Sequence, residues 1–445
     1  MNQLLLKHLH ILILTVSILP FSKGQNFSGT WKFFVGETKE TLNVATIPTF
    51  RNAESIVLPH KVMLPNRVLW YQKRIFLPQS LCLKIHADDG AQVWQNGIRI
   101  PVTKNGLFCI TGDIDSSELV VRVLNNAVRG GLIKIEFTVL RDSSEANQSY
   151  RRDTSLISLN KLLKQMEIPL LNQANKSDSF PLSINIWGDS QGGWDVFSAL
   201  CSEMLKKEVN LSIGVGDLVS NGINPADWAS LHKYITLLKR NSPVMLIPGN
   251  HDYDGVYDDL QPAHFLSLMK NYGSNPFYWF FIKNVSFMVL DPNRNFPIGL
   301  DTEQIEWAHK VFADPIWRQS EWKVLLIHQV PYGSGWKGYS GEQFIRTFLS
   351  KTINESDFDL VVGGHIHDYE RVVKKISGKN ILCLVTGGAG GQLEPIVNSD
   401  EFEMDTIIKR HHFCNIEFHK FHLECKVLGL GGDILDHYIF NKDEN

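Results

Sequence analysis

The sequence predicts two domains of different class: an all-β antiparallel sandwich over residues 25–140, then an α/β domain over residues 181–445 with two packed β-sheets flanked by helices. Three observations carry this reading. The 445 residues exceed the roughly 250 to 300 that one hydrophobic core usually organises. Up to residue 140 short apolar runs are broken by turn residues, whereas beyond residue 180 apolar strands alternate with helical segments. A composition of 43% hydrophobic and 20% charged residues is globular and excludes general disorder.

Lys7 followed by the apolar run Ile11 to Phe21 and by Ser22-Lys23-Gly24 reads as a secretory signal peptide over residues 1–24. The run is shorter than the ~20 residues that cross a bilayer. The expected product is a secreted or periplasmic protein without a membrane span after cleavage. Strands follow at Val68 to Phe76, Leu81 to His86, Gln92 to Trp94 and Leu119 to Val123, with Asn96-Gly97 as a hairpin turn. Gly29-Thr30-Trp31, Leu58-Pro59-His60, Trp70-Tyr71, the Ala91 to Gly97 strand and turn, and the strand ending at Asn126 resemble the galactose-binding-like jelly-roll module at the front of family 2 glycoside hydrolases. That resemblance implies a jelly roll and possible carbohydrate binding. Trp31, Trp70 and Trp94 read as core rather than sugar platforms.

Residues 141–180 are polar and contain a helix at Leu156 to Met166, so they read as a linker. Strands of the second domain are expected at Leu182 to Trp187, Leu211 to Val215, Val244 to Ile247, Phe277 to Ile282, Ser286 to Leu290, Lys323 to Ile327, Leu360 to Val362 and Ile381 to Thr386, with a closing group from Phe413 to Phe440. Lys+Arg 44 against Asp+Glu 47, a net charge of -3, argues against nucleic acid as the main partner. None of the six cysteines forms a CxxC pair, which excludes thiolate zinc and thioredoxin-like chemistry. Cys82 could pair with Cys109, and Cys414 and Cys425 sit on one expected hairpin; connectivity stays open.

Chemistry concentrates where strands end. Gly188-Asp189-Ser190-Gln191, Gly216-Asp217, Gly249-Asn250-His251-Asp252, Ile327-His328 and Gly364-His365-Ile366-His367 each follow an apolar run directly. In open α/β sheets ligands bind at the carboxyl ends of strands, so these loops can converge. Asp, Asn and His without thiolate suit Mn, Fe, Zn or Co.

This series resembles the calcineurin-like metallophosphoesterase superfamily, and His365 to Arg371 (HIHDYER) is similar to the GHxHxYER motif of purple acid phosphatases. The resemblance implies two metal ions, Fe, Mn or Zn, bridged by Asp217. Asp189 and His367 would complete the first site, and Asn250, His328 and His365 the second. His251, with Asp252 beside it, would protonate the leaving group. Where most relatives carry a histidine two residues after the first Asp, or a tyrosine three after the bridging Asp, this chain has Gln191 and Ser220. The Gln191 amide oxygen is expected to fill that place, with a weaker first metal and no purple colour.

The implied reaction is hydrolysis of a phosphate monoester, on a small molecule or glycan, by metal-bound hydroxide. The alternatives are a phosphodiesterase with the same site and a carbohydrate-binding protein whose phosphoesterase domain is weakened or inactive. His411, His412, His419 and His422 read as structural, and Gly387 to Gly391 as a place of close backbone approach. Trp194, Tyr253, Tyr332 and Trp336 lie near the motif loops and read as packing as readily as substrate contacts.

Overall fold

The computed structural model describes residues 27–442 except 28, 37–46, 88–89, 104–105, 127, 140–153, 172–179, 254–261, 274, 295–296 and 400. The expected signal peptide and parts of the expected linker lie outside the described residues.

The front domain is β-rich and its described strand pairs are antiparallel. Strands β1 (Thr30–Gly36), β2 (Glu54–Val57), β3 (Val62–Met63), β4 (Arg67–Leu77), β5 (Leu81–Ala87), β6 (Gly90–Gln95), β7 (Ile98–Ile100), β8 (Phe108–Ile110), β9 (Asp113–Asn125), β10 (Arg129–Gly130) and β11 (Leu132–Val139) follow in order. One sheet runs β2-β1-β4-β9-β6-β7 and a second β11-β5-β8. Alternation along β4 decides the faces. Leu69, Tyr71, Ile75 and Leu77 enter the core shared by the two sheets, while Val68 and Trp70 face the other way. Cys82 and Cys109 are direct cross-strand partners and form a disulfide.

The second domain layers two larger sheets over one core. Strands β12 (Leu182–Trp187), β13 (Leu211–Val215) and β14 (Val244–Ile247) are parallel and continue, through β22 (His412–Phe418), β23 (His422–Gly429) and β24 (Ile434–Asn441), as β14-β13-β12-β22-β23-β24. The facing sheet runs β15-β16-β17-β18-β20-β19-β21. Its members are β15 (Tyr278–Ile282), β16 (Val285–Val289), β17 (Trp322–Leu326), β18 (Leu360–Gly363), β19 (Tyr369–Ile376), β20 (Lys379–Thr386) and β21 (Thr406–Ile408). Every residue of β13, β14, β16, β17 and β18 is buried. Strands covered on both faces explain the unbroken apolar runs in the sequence.

The helix expected in the linker spans Thr154–Gln165. Leu159, Leu163, Met166 and Ile168 of this segment enter the second domain's core, so the helix belongs to that domain's packing. Apolar residues at helical spacing on a polar segment explain it. Cys414 and Cys425 lie on the adjacent strands β22 and β23 and are free thiols. Diagonal rather than opposed positions, with Cys414 paired to Val427 and Cys425 to Ile416, separate them from the Cys82–Cys109 geometry.

Candidate metal centre

Five strand ends build the centre. Asp189 and Asp217 sit two residues beyond β12 and β13, Asn250 to Asp252 form a single 3-10 turn after β14, and His328 and His365 sit two residues beyond β17 and β18. Three of these side chains leave the backbone from the left-handed region: Asp189 at φ 59°, Asp217 at φ 48° and His365 at φ 70°. Such conformations are uncommon outside glycine and mark sites where surrounding structure holds the chain. Two glycines make room. A Cβ on Gly364 would lie 2.1 Å from Asp189 Oδ2, and one on Gly249 would lie 2.2 Å from Asp217 Oδ1.

Protein hydrogen bonds hold the loops in register. The His365 amide donates to Asp189 Oδ2 at 3.0 Å, and the His251 amide donates to Asp217 Oδ1 at 2.8 Å. Asp252 is the loop brace. Its Oδ1 accepts from the amides of Leu218 and Val219 and its Oδ2 from Gly249, so the carboxylate ties the β14 loop to the β13 loop. The side chain is buried and turned to backbone rather than toward the His251 ring.

The donor set fits divalent or trivalent cations. His328 Nδ1 bonds the carbonyl of Val215 at 2.9 Å, which directs Nε2 at Asp217 Oδ2, 3.3 Å away, and Asp189 Oδ1, 3.9 Å away. Nε2 of His365 is buried and lacks a hydrogen-bond partner, and Nε2 of His328 has only the two carboxylates beside it. Asp217, His328 and His365 each place a ligand atom within 4.8 Å of the others. Buried polar atoms without partners are rare in native folds, and imidazole nitrogens beside carboxylates are what a cation would satisfy.

The electrostatics point the same way. Burial alone would lower the His328 pKa, but the Asp217 and Asp189 carboxylates raise it to about 10. His367 behaves alike: against burial, Asp189 brings it up to about 9. Burial, reinforced by His328, holds His365 well below the ordinary imidazole range. Asp217 stays below the usual carboxylate range because the His328 and His251 rings outweigh its burial. A field that draws protons onto two imidazoles draws metal cations equally.

The remaining expected residues fall around this core. His367 Nδ1 bonds the Gln392 carbonyl at 2.7 Å, and its Nε2 lies 3.5 Å from Asp189 Oδ1. Gln191 turns inward, with Nε2 3.2 Å from Asp217 Oδ2 and 3.1 Å from His367 Nε2. His251 stands at the rim with 37% of its side chain exposed; its Nδ1 bonds the Ser220 carbonyl at 3.0 Å and its Nε2 lies 4.0 Å from Asp217 Oδ2. The structure therefore brings together Asp189, Gln191, Asp217, Asn250, His251, His328, His365 and His367, and places Asp252 behind them.

Residues 182–369 match the family model for calcineurin-like phosphoesterases. This segment is a calcineurin-like phosphoesterase domain. Among curated relatives, the phosphoesterase domain resembles purple acid phosphatase 22 of Arabidopsis thaliana, 24% identical over 235 residues covering 50% of this chain and 53% of the relative. The Fe(3+)-Zn(2+) purple acid phosphatase 12 of the same plant is 24% identical over 49% of this chain and 52% of its own length. The chain thus spans about half the length of the curated relatives it matches. A purple acid phosphatase from yellow lupin (Lupinus luteus) seeds shares the fold at TM-score 0.52 and 13% identity, covering 89% of this chain and 78% of that one.

Several residues that serve the phosphoesterase domain went unread in the sequence. Trp336 and Tyr339 pack their rings against His365 at 5.7 and 5.3 Å. Only Trp336 had a signal, as an aromatic near a motif loop. Gln329 bonds Asn250, and its one sequence cue is adjacency to His328. Tyr253 is packed into the front domain. Trp31, Trp70 and Trp94 are at most 3% exposed, core as expected, and present no ring face to a sugar. His412 is buried against Thr386 and the Arg410 carbonyl, and the His419 and His422 rings stack on each other, as structural histidines do. Gly387 and Gly390 fulfil the close approach: a Cβ there would meet the backbones of Ile366 and Ser190.

Proposed function

We propose that this chain is an exported dinuclear metallophosphoesterase that hydrolyses phosphate monoesters. The observation that carries the reading is the buried group of Asp217, His328 and His365, whose ligand atoms all lie within 4.8 Å of one another. Asp217 would be shared by two ions, with Asp189, Gln191 and His367 on one side and Asn250, His328 and His365 on the other. Two ions of the Fe, Mn or Zn type supply Lewis acidity there, neutralising phosphoryl charge and making water more acidic.

The chain's own residues do the rest. His251 donates from Nδ1 to the Ser220 carbonyl and presents Nε2 at the rim; in the doubly protonated ring, Nε2–H could pass its proton to a leaving alkoxide, leaving the neutral Nδ1–H form. Asp252 positions His251 by fixing the turn on which it stands. A half-turn of the Gln191 amide about its last side-chain bond would present Oε1 where Nε2 now lies, without moving the backbone. Monoester specificity is supported by the names of the relatives, all phosphatases. Export rests on the leader at residues 1–24, and no helix among the described residues is long and apolar enough to cross a membrane. Trp31, Trp70 and Trp94 are buried and lend no support to carbohydrate binding by the front domain.

Metal analysis of the purified chain, with hydrolysis of p-nitrophenyl phosphate and bis-p-nitrophenyl phosphate in added Mn, Fe or Zn, tests this reading. Turnover of the monoester above the diester is expected. Preference for the diester would replace the substrate class, and no metal with no turnover would sink the enzyme reading altogether.

A further inference from the structure

We propose that a buried hydrogen-bond chain, Tyr253–Asp291–Asn293–Gln329, fixes the rotation of the Asn250 amide, and that the front sandwich clamps the far end of this chain. Gln329 and Tyr253 are thereby positioning residues for the second cation. The inference rests on the reading of Asn250 as a ligand.

A carboxamide is nearly symmetric in shape, but only its oxygen can hold a cation; its NH2 group cannot. Something must break the symmetry at Asn250. The chain begins at Asp291, two residues past β16 and fully buried. Burial pushes its carboxyl up to about 6, against the opposing pull of Tyr253 and Asn293, and in its ionised form both oxygens only accept. Oδ2 accepts from the Tyr253 hydroxyl. Oδ1 accepts from the Asn293 amide at 3.0 Å and from Asn293 Nδ2 at 3.2 Å. With its NH2 so committed, Asn293 presents Oδ1 to Gln329 Nε2 at 2.7 Å and returns Nδ2 to Gln329 Oε1 at 3.2 Å. The second proton of Gln329 Nε2 then reaches Asn250 Oδ1 at 3.4 Å, the oxygen that also faces His365 Nδ1 at 3.1 Å. Turning over either the Asn293 or the Gln329 amide would set donor against donor or acceptor against acceptor. The polarity of one carboxylate is thus relayed to a ligand atom.

The sandwich holds both ends of the loop pair. The Tyr253 ring is 1% exposed and lies among Phe50, Val68, Trp70, Trp94, Val120 and Leu124, all from the front domain. Asn66, at φ 51°, bonds the Ile298 backbone twice, accepting from its N at 2.8 Å and donating to its O at 3.1 Å. The front domain therefore grips the segment carrying Tyr253 and the segment following Asp291 at once.

Stepwise zinc titration of the full chain against a competing chelator reads this without turnover. Gln329→Met and Tyr253→Phe change neither charge nor overall size. Gln329→Met is expected to weaken the tighter zinc step roughly 10- to 100-fold and Tyr253→Phe several-fold, as outer-shell partners do. The double variant should be no weaker than Gln329→Met alone, because both cut one chain. Thermal melting of the zinc-free proteins checks folding, and Tyr253→Phe remains a test if Gln329→Met does not fold. Wild-type zinc affinity in a folded variant, or additive losses in the double variant, would overturn the relay. Failure of the wild-type chain to bind zinc would instead overturn the ligand reading on which the relay rests.

Discussion

The two halves of the proposed metal centre are made of similar chemistry but differ in their access to water. Asn250, His328 and His365 are at most 6% exposed. They are backed by Gln329 on one side and by Trp336 and Tyr339 on the other. The opposite group has one fully buried member, Asp189, while His367 keeps 19% of its side chain exposed and Gln191 is only half-buried. Gln191 also brings a neutral amide where an imidazole or phenolate would donate more charge. The lesson is that a dinuclear site can be built with one guarded position and one open one. Ions should then leave the two positions at different rates.

Asp217 is the residue proposed to serve both halves, so Asp217→Asn should collapse the distinction. Phosphomonoester turnover is expected to fall roughly 10³-fold, equivalent to about 4 kcal/mol, with both zinc steps weakened; loss of one step alone would show that the carboxylate is not shared. His251 belongs to neither half. His251→Ala should leave metal content intact and cost roughly 10²-fold in kcat on alkyl phosphates, with a smaller loss on p-nitrophenyl phosphate. Equal losses on both substrates would remove the proton-donor role. Gln191→His should erase the asymmetry by tightening the weaker zinc step, roughly 10- to 100-fold. An unchanged step would mean that position 191 does not touch the ion.

The smallest effect concerns the wall behind the guarded half. Glu342 is buried, accepts a hydrogen bond from Tyr339, and has its pKa raised to about 7, chiefly by burial. A carboxyl whose folded pKa lies above its unfolded value favours folding fully below the unfolded pKa, and that favour is lost as pH rises through the folded one. Wild-type stability should therefore decline between about pH 4.5 and 7 from this group. Glu342→Gln should flatten that slope and stabilise the protein at pH 8 by on the order of 2 kcal/mol. Identical melting curves for the two proteins at pH 5 and pH 8 would remove Glu342 as the source.

Strand-end motifs were legible because each candidate ligand follows its strand within a few residues, so that local order in the sequence is local order in space. Gln191 was legible by the same rule, as a departure from a pattern. Asp252 was misleading: its place beside His251 suggested shared chemistry, whereas its oxygens bond backbone amides 33 and 34 residues away in the chain. The apolar spacing within the polar segment 154–168 allowed a helix to be expected, but not the core into which it would pack. Tyr253 could not be assigned at all, since the cluster that receives it is contributed by residues 50 to 124 of another domain. Long-range contacts of this kind leave no periodicity behind.

The left-handed backbone at Asp189, Asp217 and His365 has a consequence for metal identity. These residues are held by hydrogen bonds between loops, such as His365 N to Asp189 and His251 N to Asp217. These bonds would brace the loops in the same way whichever cation of the Mn, Fe or Zn type was bound, so exchanging one element for another should leave the fold unchanged.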